Sequence, residues 1–573
     1  MTKATKVLIA LLVVCLLFAQ GILSNTSRAI PASISVQSQI LPNMPLSGNY
    51  VPAQILVGMQ SSVSLTNITT SFLGLDILSV IDLTDVSSLV SNTAVTPYTG
   101  PQILLLELES DDEGDLLNAI SALETNPLVS FAEPNLIGSA CSTIPSDPLS
   151  PSEELWGHYK TNIPEALEIT TGNPSVLLGY LDSGIEYHPA LIDNISDTLG
   201  RNFLADNPYF PYTDPYDFLD DYGHGTSTSG LAGLNGIDEG MIGVSPGVTI
   251  VPLKILDGGG IGSAAELIRS LVYADHSGIS IVNLGAAWYG ERDLFQAMEI
   301  AVSCYSGIIF APAGNSGKDN DFNPDLASYP ASFSHLPNLI SVAASNPEDT
   351  LTSFSCYGQT TVALCAPGSD VLISSVFYSW DIENCDIEEF DYEDGWFTDF
   401  GYEFWAGSSI ASSYVAGAAA LLKSVDPNLT TAEIRAALLE NTDYCPELDG
   451  LVATNGRLNA YQALLSVIPE PPVLFCDELS FDYSKLAVCL PITAAIPNDY
   501  LIIADVISEG EFDPGHTEQI ESLSGSSIYE VFFAGFEGFE ISICEITVKI
   551  FDSTGSVLYA EATCNTDIIH AKK

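Results

Sequence analysis

The chain has 573 residues, a length that suggests about three to four domains, and 46% of the residues are hydrophobic, which excludes a largely disordered polypeptide. It carries 73 Asp and Glu against 16 Lys and Arg, a formal net charge of −57. Such a charge repels phosphate backbones and anionic membrane surfaces, so nucleic acid is not an expected partner. Bound calcium and a salt-adapted host are two explanations of the acidity that the composition leaves open.

Residues 1–24 have the pattern of a secretory signal peptide. Two lysines within residues 1–6 precede an unbroken apolar run at 7–19, which is shorter than the roughly 20 residues that span a bilayer. The alternative is an uncleaved anchor in which Ile22 and Leu23 lengthen the apolar segment. The pattern predicts a secreted or cell-surface protein that contacts membrane only through this segment.

Eleven cysteines bear on the compartment. One of them, Cys15, lies inside the apolar run. The other ten are an even number, and an exported chain can pair such cysteines in disulfides. Buried free thiols are the alternative, and the pairing cannot be derived from the spacing. No CxxC pair and no HExxH motif occurs, so the cysteines and histidines give no support to a metal-dependent hydrolase.

Residues 50–135 combine strand and helix patterns. The predicted elements are strands at 54–59, 102–108 and 129–133 and a helix at 115–124. This segment is therefore expected to form a small α+β domain. The Pro- and Ser-rich stretch 144–151 that follows is typical of an exposed linker.

From about residue 154 to 466, short apolar runs alternate with helical stretches. The predicted strands are 175–181, 249–256, 279–284, 307–311 and 339–343, and the predicted helices are 264–275 and 294–304. Apolar strands separated by helices predict an α/β fold with a mostly parallel sheet covered by helices on both faces.

The end of the chain has a different pattern. The Pro-rich residues 469–472 mark a boundary, and runs at 541–551 and 556–563 alternate with period two around a turn, which predicts a β-hairpin. Residues 472–573 are therefore expected to form an all-β, sandwich-like module.

An acidic, aromatic-rich segment at 381–400 interrupts the α/β pattern. A solvated surface insertion is one interpretation of this segment. A calcium-binding or substrate-selecting loop is the other, since carboxylates are the ligands that calcium prefers.

Three short motifs supply the residue types that acyl transfer by serine requires. They are Leu181-Asp182-Ser183-Gly184, Gly223-His224-Gly225-Thr226 and Gly407-Ser408-Ser409-Ile410-Ala411. Such chemistry needs a hydroxyl nucleophile, an imidazole that takes its proton, and a carboxylate that holds the imidazole in the right tautomer. The chain order Asp, His, Ser is that of subtilisin and differs from the orders in chymotrypsin and the α/β-hydrolases.

Residues from about 148 to 466 resemble the subtilisin-like serine proteases, or subtilases. The matching motifs, besides the three above, are Leu155-Trp156-Gly157, His188-Pro189, Lys254-Ile255-Leu256-Asp257, Ala313-Gly314-Asn315, Tyr329-Pro330-Ala331, Ala366-Pro367-Gly368, Val415-Ala416-Gly417 and Gly456-Arg457-Leu458-Asn459. Residues 50–135 are similar to the inhibitory propeptide of such proteases, so the chain's own propeptide is an expected inhibitor.

The resemblance implies a role for each matched residue. Ser409 would attack the scissile carbonyl, His224 would accept and later donate the proton, and Asp182 would orient the imidazole. The Asn315 side chain and the Ser409 backbone N–H would stabilise the oxyanion. Taken alone, Asn315 is better interpreted as a turn residue, but its place between the other motifs favours the oxyanion role.

The resemblance also implies a substrate-binding edge at Gly285, Ala286 and Ala287, together with Ala313 and Gly314. Ala287 stands where relatives have Gly, which predicts a narrower primary pocket and a preference for small or medium apolar residues before the cut.

The sequence departs from the subtilase pattern beside the nucleophile, where Ser413 and Tyr414 replace the usual Pro and His. The start of the helix that carries Ser409 is therefore the least predictable part of the site.

These patterns predict a secreted serine endopeptidase that acts on proteins or peptides and is made as a zymogen, with self-cleavage between residues 134 and 150. No cofactor is expected for the chemistry, and a structural calcium ion is compatible with the acidity. The alternative is a catalytically weak or inactive protease-like domain that serves as a surface binding module.

Overall fold

The computed structural model describes backbone and side chains for residues 50–60, 75–89, 98–141, 155–236, 241–322, 327–376 and 400–468, and the backbone of strands within 377–380, 396–399 and 473–570. These residues belong to one structural unit, Leu46–Lys573. The predicted signal peptide, Cys15 and the predicted linker at 144–151 lie outside the described residues.

The first described region is an antiparallel sheet with one helix against it. It contains β1 (Tyr50–Met59), β2 (Ile77–Asp82), β3 (Ile103–Leu108), α1 (Glu113–Glu124) and β4 (Val129–Ala140). The strands pair in the order β2-β3-β1-β4. The predicted strands and helix of this region are present, β2 was not predicted, and β4 continues from Glu133, where the predicted run ended, to Ala140.

Helix α1 shows why this region folds. Its buried side chains, Leu116, Ala119, Ile120 and Leu123, recur at helical spacing and form one apolar stripe. Asp112 precedes the helix and accepts hydrogen bonds from the first backbone N–H groups, which otherwise lack partners.

The following region is built on a nine-stranded sheet. Its strands and the associated short strands are β5 (Leu177–Asp182), β6 (Arg201–Asn202), β7 (Thr249–Lys254), β8 (Ile261–Ser263), β9 (Ile281–Leu284), β10 (Ala286–Tyr289), β11 (Ile308–Pro312), β12 (Ser328–Tyr329), β13 (Leu339–Ser345), β14 (Leu364–Pro367), β15 (Val371–Trp380), β16 (Trp396–Trp405), β17 (Asp443–Tyr444) and β18 (Gly456–Arg457). The nine strands lie in the order β17-β18-β14-β13-β11-β9-β5-β7-β6, and all neighbouring pairs except β17 with β18 are parallel.

Helices cover this sheet. They are α2 (Trp156–Lys160), α3 (Ile163–Ile169), α4 (His224–Gly233), α5 (Ala264–His276), α6 (Gln296–Cys304), α7 (Ser408–Val425), α8 (Thr431–Glu440) and α9 (Ala460–Val467), with short 3-10 turns at Ile192–Asn194, Leu204–Asp206, Arg292–Leu294 and Pro446–Leu448. Side chains of α4, α7 and α9 pack into one apolar cluster and those of α5 and α6 into another, each shared with the central strands. The predicted α/β sheet with helices on both faces is therefore confirmed.

The central helix α7 owes its burial to small residues. A Cβ built on Gly417 would lie 2.8 Å from the Val244 side chain, so the helix approaches its neighbour more closely than a larger residue allows. Consequently the N-terminal turn of α7, which carries Ser409, is set deep in the domain.

Strands β15 and β16 form a long hairpin that flanks the predicted acidic segment. Residues 381–395 lie outside the described residues, and 396–400, which the sequence assigned to the insertion, belong to β16. The hairpin contacts α4, where the Ser374 hydroxyl donates to the carbonyl of Thr226 at 2.9 Å. It therefore borders the helix that carries His224.

The backbone near the C-terminus forms a six-stranded antiparallel sheet. Its strands are β19 (Val473–Leu474), β20 (Ser480–Asp482), β21 (Ala487–Ser508), β22 (His516–Phe532), β23 (Glu540–Asp552) and β24 (Leu558–His570). β23 and β24 pair as the predicted hairpin.

Five cysteines have described side chains, and all five carry free thiols. They are Cys141, Cys304, Cys356, Cys365 and Cys445. Within the described part of the chain, no helix is long and apolar enough to cross a membrane.

Candidate active site

Three elements bring the predicted catalytic side chains together. Asp182 ends β5, His224 begins α4, and Ser409 lies in the first turn of α7. His224 Nδ1 is 2.6 Å from Asp182 Oδ1, and His224 Nε2 is 3.0 Å from Ser409 Oγ. All three side chains are fully buried. One imidazole therefore bridges a carboxylate and a hydroxyl at hydrogen-bonding distance on both sides.

The Asp182 carboxylate is held by further donors. Oδ1 accepts the backbone N–H of Ser183 at 2.7 Å, and Oδ2 accepts the Thr228 hydroxyl at 3.0 Å. A Cβ on Gly285 would lie 1.9 Å from Oδ2, so only glycine fits at that position. These contacts fix the carboxylate toward His224.

A second buried carboxylate, Asp220, shapes the loop before His224 and belongs to none of the predicted sequence motifs. Oδ1 accepts from the Ser183 hydroxyl and the backbone N–H groups of Tyr222 and Gly223, at 2.8, 3.1 and 2.8 Å. Oδ2 accepts the N–H and the O–H of Thr226 at 2.8 and 2.7 Å. Asp220 thus ties the Asp182 turn to the first turn of α4.

The end of β4 lies in the cleft as an added strand. On one side it pairs antiparallel with β10, where Ala140 faces Ala286 and Ser139 faces Ala287. On the other side it pairs with β8, where Gly138 faces Gly262. The predicted substrate edge at Ala286 and Ala287 therefore holds an extended segment of the chain itself.

Cys141, the next residue, brings a peptide carbonyl to the nucleophile. Its N–H donates to the carbonyl of Gly285 at 3.1 Å. Its own carbonyl oxygen accepts the Ser409 hydroxyl at 2.6 Å and the Ser409 N–H at 3.4 Å. The segment thus lies extended in the cleft, with the carbonyl oxygen of Cys141 against the Ser409 hydroxyl.

The Cys141 side chain is buried and only 3% exposed. Burial raises the pKa of its thiol, which has the Tyr289 hydroxyl as a hydrogen-bond partner and the Cys356 thiol as a neighbour. The backbone N–H of Cys356 donates to the carbonyl of Gly314 at 2.8 Å. Tyr289 and Cys356, which belong to none of the sequence motifs, are therefore neighbours of the Cys141 thiol, and Cys356 is bound to the predicted Gly314.

Ala287, predicted at the wall of the primary pocket, lies on the strand that pairs with the end of β4. It faces Ser139, two residues before Cys141. Ala313, also predicted at the substrate site, is buried and donates its N–H to the carbonyl of Val342 at 2.8 Å, which anchors the loop before Asn315.

Asn315 lies beside the nucleophile turn. Its side-chain oxygen accepts the N–H of Ser408 at 3.0 Å and the O–H of Ser408 at 2.7 Å. Its backbone N–H donates to the Tyr289 hydroxyl at 2.9 Å. The oxygen end of the amide is therefore engaged at α7.

The departure at Ser413 and Tyr414 leaves α7 regular. The Tyr414 hydroxyl is 3.0 Å from His158 Nδ1, and His158 Nε2 is 3.0 Å from the carbonyl of Ile242. Burial lowers the pKa of His158 to about 4, so this imidazole is neutral. The Ser413 hydroxyl donates to the carbonyl of Ser409 at 3.0 Å. Both substituted side chains are therefore buried and hydrogen-bonded, Ser413 to the nucleophile's own carbonyl and Tyr414 to His158.

Among the residues whose side chains are described, no group of three or more His, Cys, Asp and Glu is arranged to hold a metal ion.

Comparison with known proteins places this site in a family. Residues 173–463, about half of the chain, match the model of the subtilase family. The thermophilic serine proteinase of Bacillus sp. (strain AK1) is 30% identical over 353 residues, which cover 61% of this chain and 76% of that protein. Halolysin of Haloferax mediterranei is 30% identical over 349 residues, covering 61% of this chain and 59% of that protein. Thermitase of Thermoactinomyces vulgaris is 29% identical over 323 residues, covering 56% of this chain and 99% of that protein.

The matched family defines the class of protein, a serine-type endopeptidase that needs no cofactor for catalysis. The chain belongs to the subtilase family.

Proposed function

We propose that the protein is a secreted serine endopeptidase, made as a zymogen, that cuts its own chain between Cys141 and Ser142. The observation that carries this proposal is the Cys141 carbonyl oxygen, 2.6 Å from Ser409 Oγ. Nucleophile, base and an extended peptide are then all present in one cleft. Holding these groups together in one cleft lowers the barrier, because little translational and rotational ordering remains before the Ser409 hydroxyl turns its proton toward His224 Nε2.

The chemistry follows from the contacts. Ser409 Oγ attacks the carbonyl carbon of Cys141 while its proton passes to His224 Nε2, and Asp182 stabilises the resulting imidazolium. The C–N bond to Ser142 breaks when His224 returns the proton to the leaving nitrogen. Water, deprotonated by His224, then attacks the acyl ester and releases Ser409. The Ser409 N–H and the Asn315 amide stabilise the oxyanion in both steps.

In this proposal residues 50–135 are the inhibitory propeptide, and the strand up to Cys141 keeps the cleft occupied after the cut. Extensive burial supports this role. Glu133 on β4 is 2% exposed, and its carboxylate accepts the N–H groups of Gln296 and Ala297 at the start of α6, both at 3.0 Å. Gln54 on β1 donates to Asn207 at 2.7 Å. These polar contacts dock the propeptide on the catalytic domain.

The remaining domain assignments complete the proposal. Residues 1–24 are the signal peptide, 148–466 the catalytic domain and 472–573 a C-terminal β module. The apolar run at 7–19 supports export, and the acidic composition is compatible with a structural calcium ion. Other proteins and peptides are the substrates of the processed enzyme.

The test compares the parent chain with Ser409→Ala, using Ser424→Ala as a matched control on the same helix. The parent and the control are expected to give a shortened protein whose N-terminus is Ser142, and Ser409→Ala a precursor that retains residues 50–141. Equal processing of all three would overturn self-cleavage. A folded parent chain that is not shortened, and that still fails to react with a fluorophosphonate after limited proteolysis has removed residues 50–141, would favour the inactive binding module.

A further inference from the structure

Gly138 lies four residues before the proposed cut, counting Cys141 as the first, and it has no room for a side chain. A Cβ built on it would lie 2.4, 2.5 and 2.7 Å from Cε2, Cδ2 and Nε1 of Trp288. Real Cβ atoms do not approach other heavy atoms so closely. The indole of Trp288 therefore occupies the space that a side chain at this position would need.

The indole is held in this place. Trp288 is fully buried within the apolar cluster that includes Phe295 and Tyr329. Its backbone pairs with Tyr329 on β12, so β10 is fixed on the side opposite the substrate strand. Its Nε1–H donates to the carbonyl of Leu136 at 3.2 Å. Because the ring is enclosed in this way, it can make room for an added methyl group only if the neighbouring side chains or backbone also shift, which costs free energy.

The substrate strand cannot move aside either. At Gly138 it is paired with Gly262 on β8, and at Ser139 with Ala287 on β10, so both of its edges are hydrogen-bonded. A Cβ on Gly262 would lie 2.0 Å from the carbonyl oxygen of Ile255, which keeps β8 close to its own support. The backbone at Gly138 is therefore positioned from both sides over the indole.

We infer that Trp288 is a specificity-determining residue that restricts substrates to glycine at the fourth position before the scissile bond. The indole N–H of Trp288 also donates to the backbone carbonyl of the sixth residue before the scissile bond, which is Leu136 in this chain. The inference rests on the proposed function, since Cys141 must be the residue before the cut. The expected substrate class is an extended peptide with Gly at the fourth position and a small residue such as Cys or Ala at the first.

The neighbouring third position supplies an internal control. Ser139 is exposed, whereas Gly138 and Cys141 are buried. Side chains alternate across a strand, so the third position points to solvent and tolerates large residues. A strict fourth position beside a tolerant third position is the pattern that the indole predicts.

The experiment uses the self-processed protein from which residues 50–141 have been removed, and peptides based on Leu-Ile-Gly-Ser-Ala-Cys followed by Ser. Replacing Gly by Ala is expected to lower kcat/KM about 10-fold and replacing it by Val about 100-fold, as overpacking costs of this size imply. Replacing the peptide's Ser at the third position by Val is expected to change kcat/KM less than about threefold. Equal cleavage of the Gly and Val peptides would overturn the inference and leave the protease assignment intact.

Two variants separate the bulk of the indole from its N–H group. Trp288→Ala is expected to narrow the difference between the Gly and Val peptides to less than about fivefold, since the obstacle is removed. Trp288→Phe keeps an aromatic ring but lacks the N–H donor, so it is expected to retain the preference for Gly at the fourth position. It is also expected to lose the increase in kcat/KM that the parent enzyme gains when the peptide is extended to the sixth position. A Trp288→Ala enzyme that still rejects Val would contradict the assigned role.

The same relationship is testable within one chain. Gly138→Val is expected to slow self-cleavage at Cys141, and Gly138→Val combined with Trp288→Ala to restore it. Should Trp288→Ala fail to fold, the peptide series on the parent enzyme decides the inference. Absence of cleavage of every peptide and of the parent chain itself would refute the proposed function instead.

Discussion

Asn315 binds Ser408, the residue before the nucleophile, through both the backbone N–H and the hydroxyl of the serine. Both hydrogen bonds end on Oδ1, so the first residue of α7 fixes the orientation of the Asn315 side-chain amide. We expect Asn315→Ala to lower kcat by about 10²- to 10³-fold, equivalent to about 2.7–4 kcal/mol, with little change in KM, because this donor acts mainly on the oxyanion. Steady-state kinetics on a peptide substrate measures both constants.

Ser408→Ala is the matched control for Asn315. It removes one of the two hydrogen bonds that orient the amide and leaves the Nδ2 donor in place. Its loss in kcat should be smaller than that of Asn315→Ala. A larger loss, or a rise in KM alone for Asn315→Ala, would contradict the oxyanion role.

Asp220 provides the second prediction, which concerns the support of the catalytic histidine. In Asp220→Asn, one of the two carboxylate oxygens is replaced by an NH₂ group. The two or three buried N–H and O–H groups that donate to that oxygen then lose their acceptor and face another donor. We expect the free energy of unfolding to fall by about 1–3 kcal/mol or more. Urea unfolding in the Ser409→Ala background, where self-cleavage cannot intervene, measures this change.

The control for Asp220 is Asp217→Asn, which changes an exposed carboxylate in the same loop. Its unfolding free energy should stay within about 0.5 kcal/mol of the parent. If Asp220→Asn is equally neutral, the hydrogen bonds at this loop do not contribute to stability as described.

The three motifs that carry Asp182, His224 and Ser409 could be found from the sequence because they are short, local and in a diagnostic order. The parallel sheet could be predicted because strands buried on both faces are continuous apolar runs, as in β9 and β13. Asp220 was missed because it stands in an acidic run beside Asp221, which has the composition of a solvated loop.

The far end of β4 was missed for a different reason. Residues 134–140 have neither an apolar run nor period-two alternation. They become a strand because β8 and β10, more than 100 positions further along the chain, present free edges on both sides. Such long-range pairing leaves no local signal. Trp288 was missed likewise, since its role depends on the glycine that faces it.

Glu133 leads to a prediction about pH. Burial raises the pKa of its carboxyl to about 8, with the nearby Glu299 adding to the rise and the Gln296 and Ala297 N–H groups opposing it. The ordinary value is 4.5, so the folded precursor binds more protons than the unfolded chain between about pH 4.5 and 8. The contribution of the carboxyl to stability is therefore full below pH 4.5 and is lost as pH rises through 8.

Glu133→Gln removes this titration. The melting temperature of the Ser409→Ala precursor is compared with that of the same precursor carrying Glu133→Gln. The difference in favour of the precursor with Glu133 is expected to be largest at pH 5 and smallest at pH 9. Burial also raises the pKa of Glu266 to about 7, so some pH dependence of the same sign remains in the variant. Glu109→Gln, an exposed site on the same domain, should leave the profile unchanged. A pH-independent difference for Glu133→Gln would refute the assigned titration.

Cys141 gives the last prediction, on the pocket that receives the residue before the cut. The thiol is enclosed by Tyr289 and Cys356, and the Tyr289 hydroxyl is also bound to the Asn315 N–H, so the pocket wall cannot retreat without moving the oxyanion site. We expect Cys141→Ala to process at a rate within about fivefold of the parent and Cys141→Phe at least about 10-fold more slowly. Following the appearance of the Ser142 N-terminus over time measures both rates. Faster processing of Cys141→Phe would show that the pocket is deeper than its contacts with Tyr289 indicate.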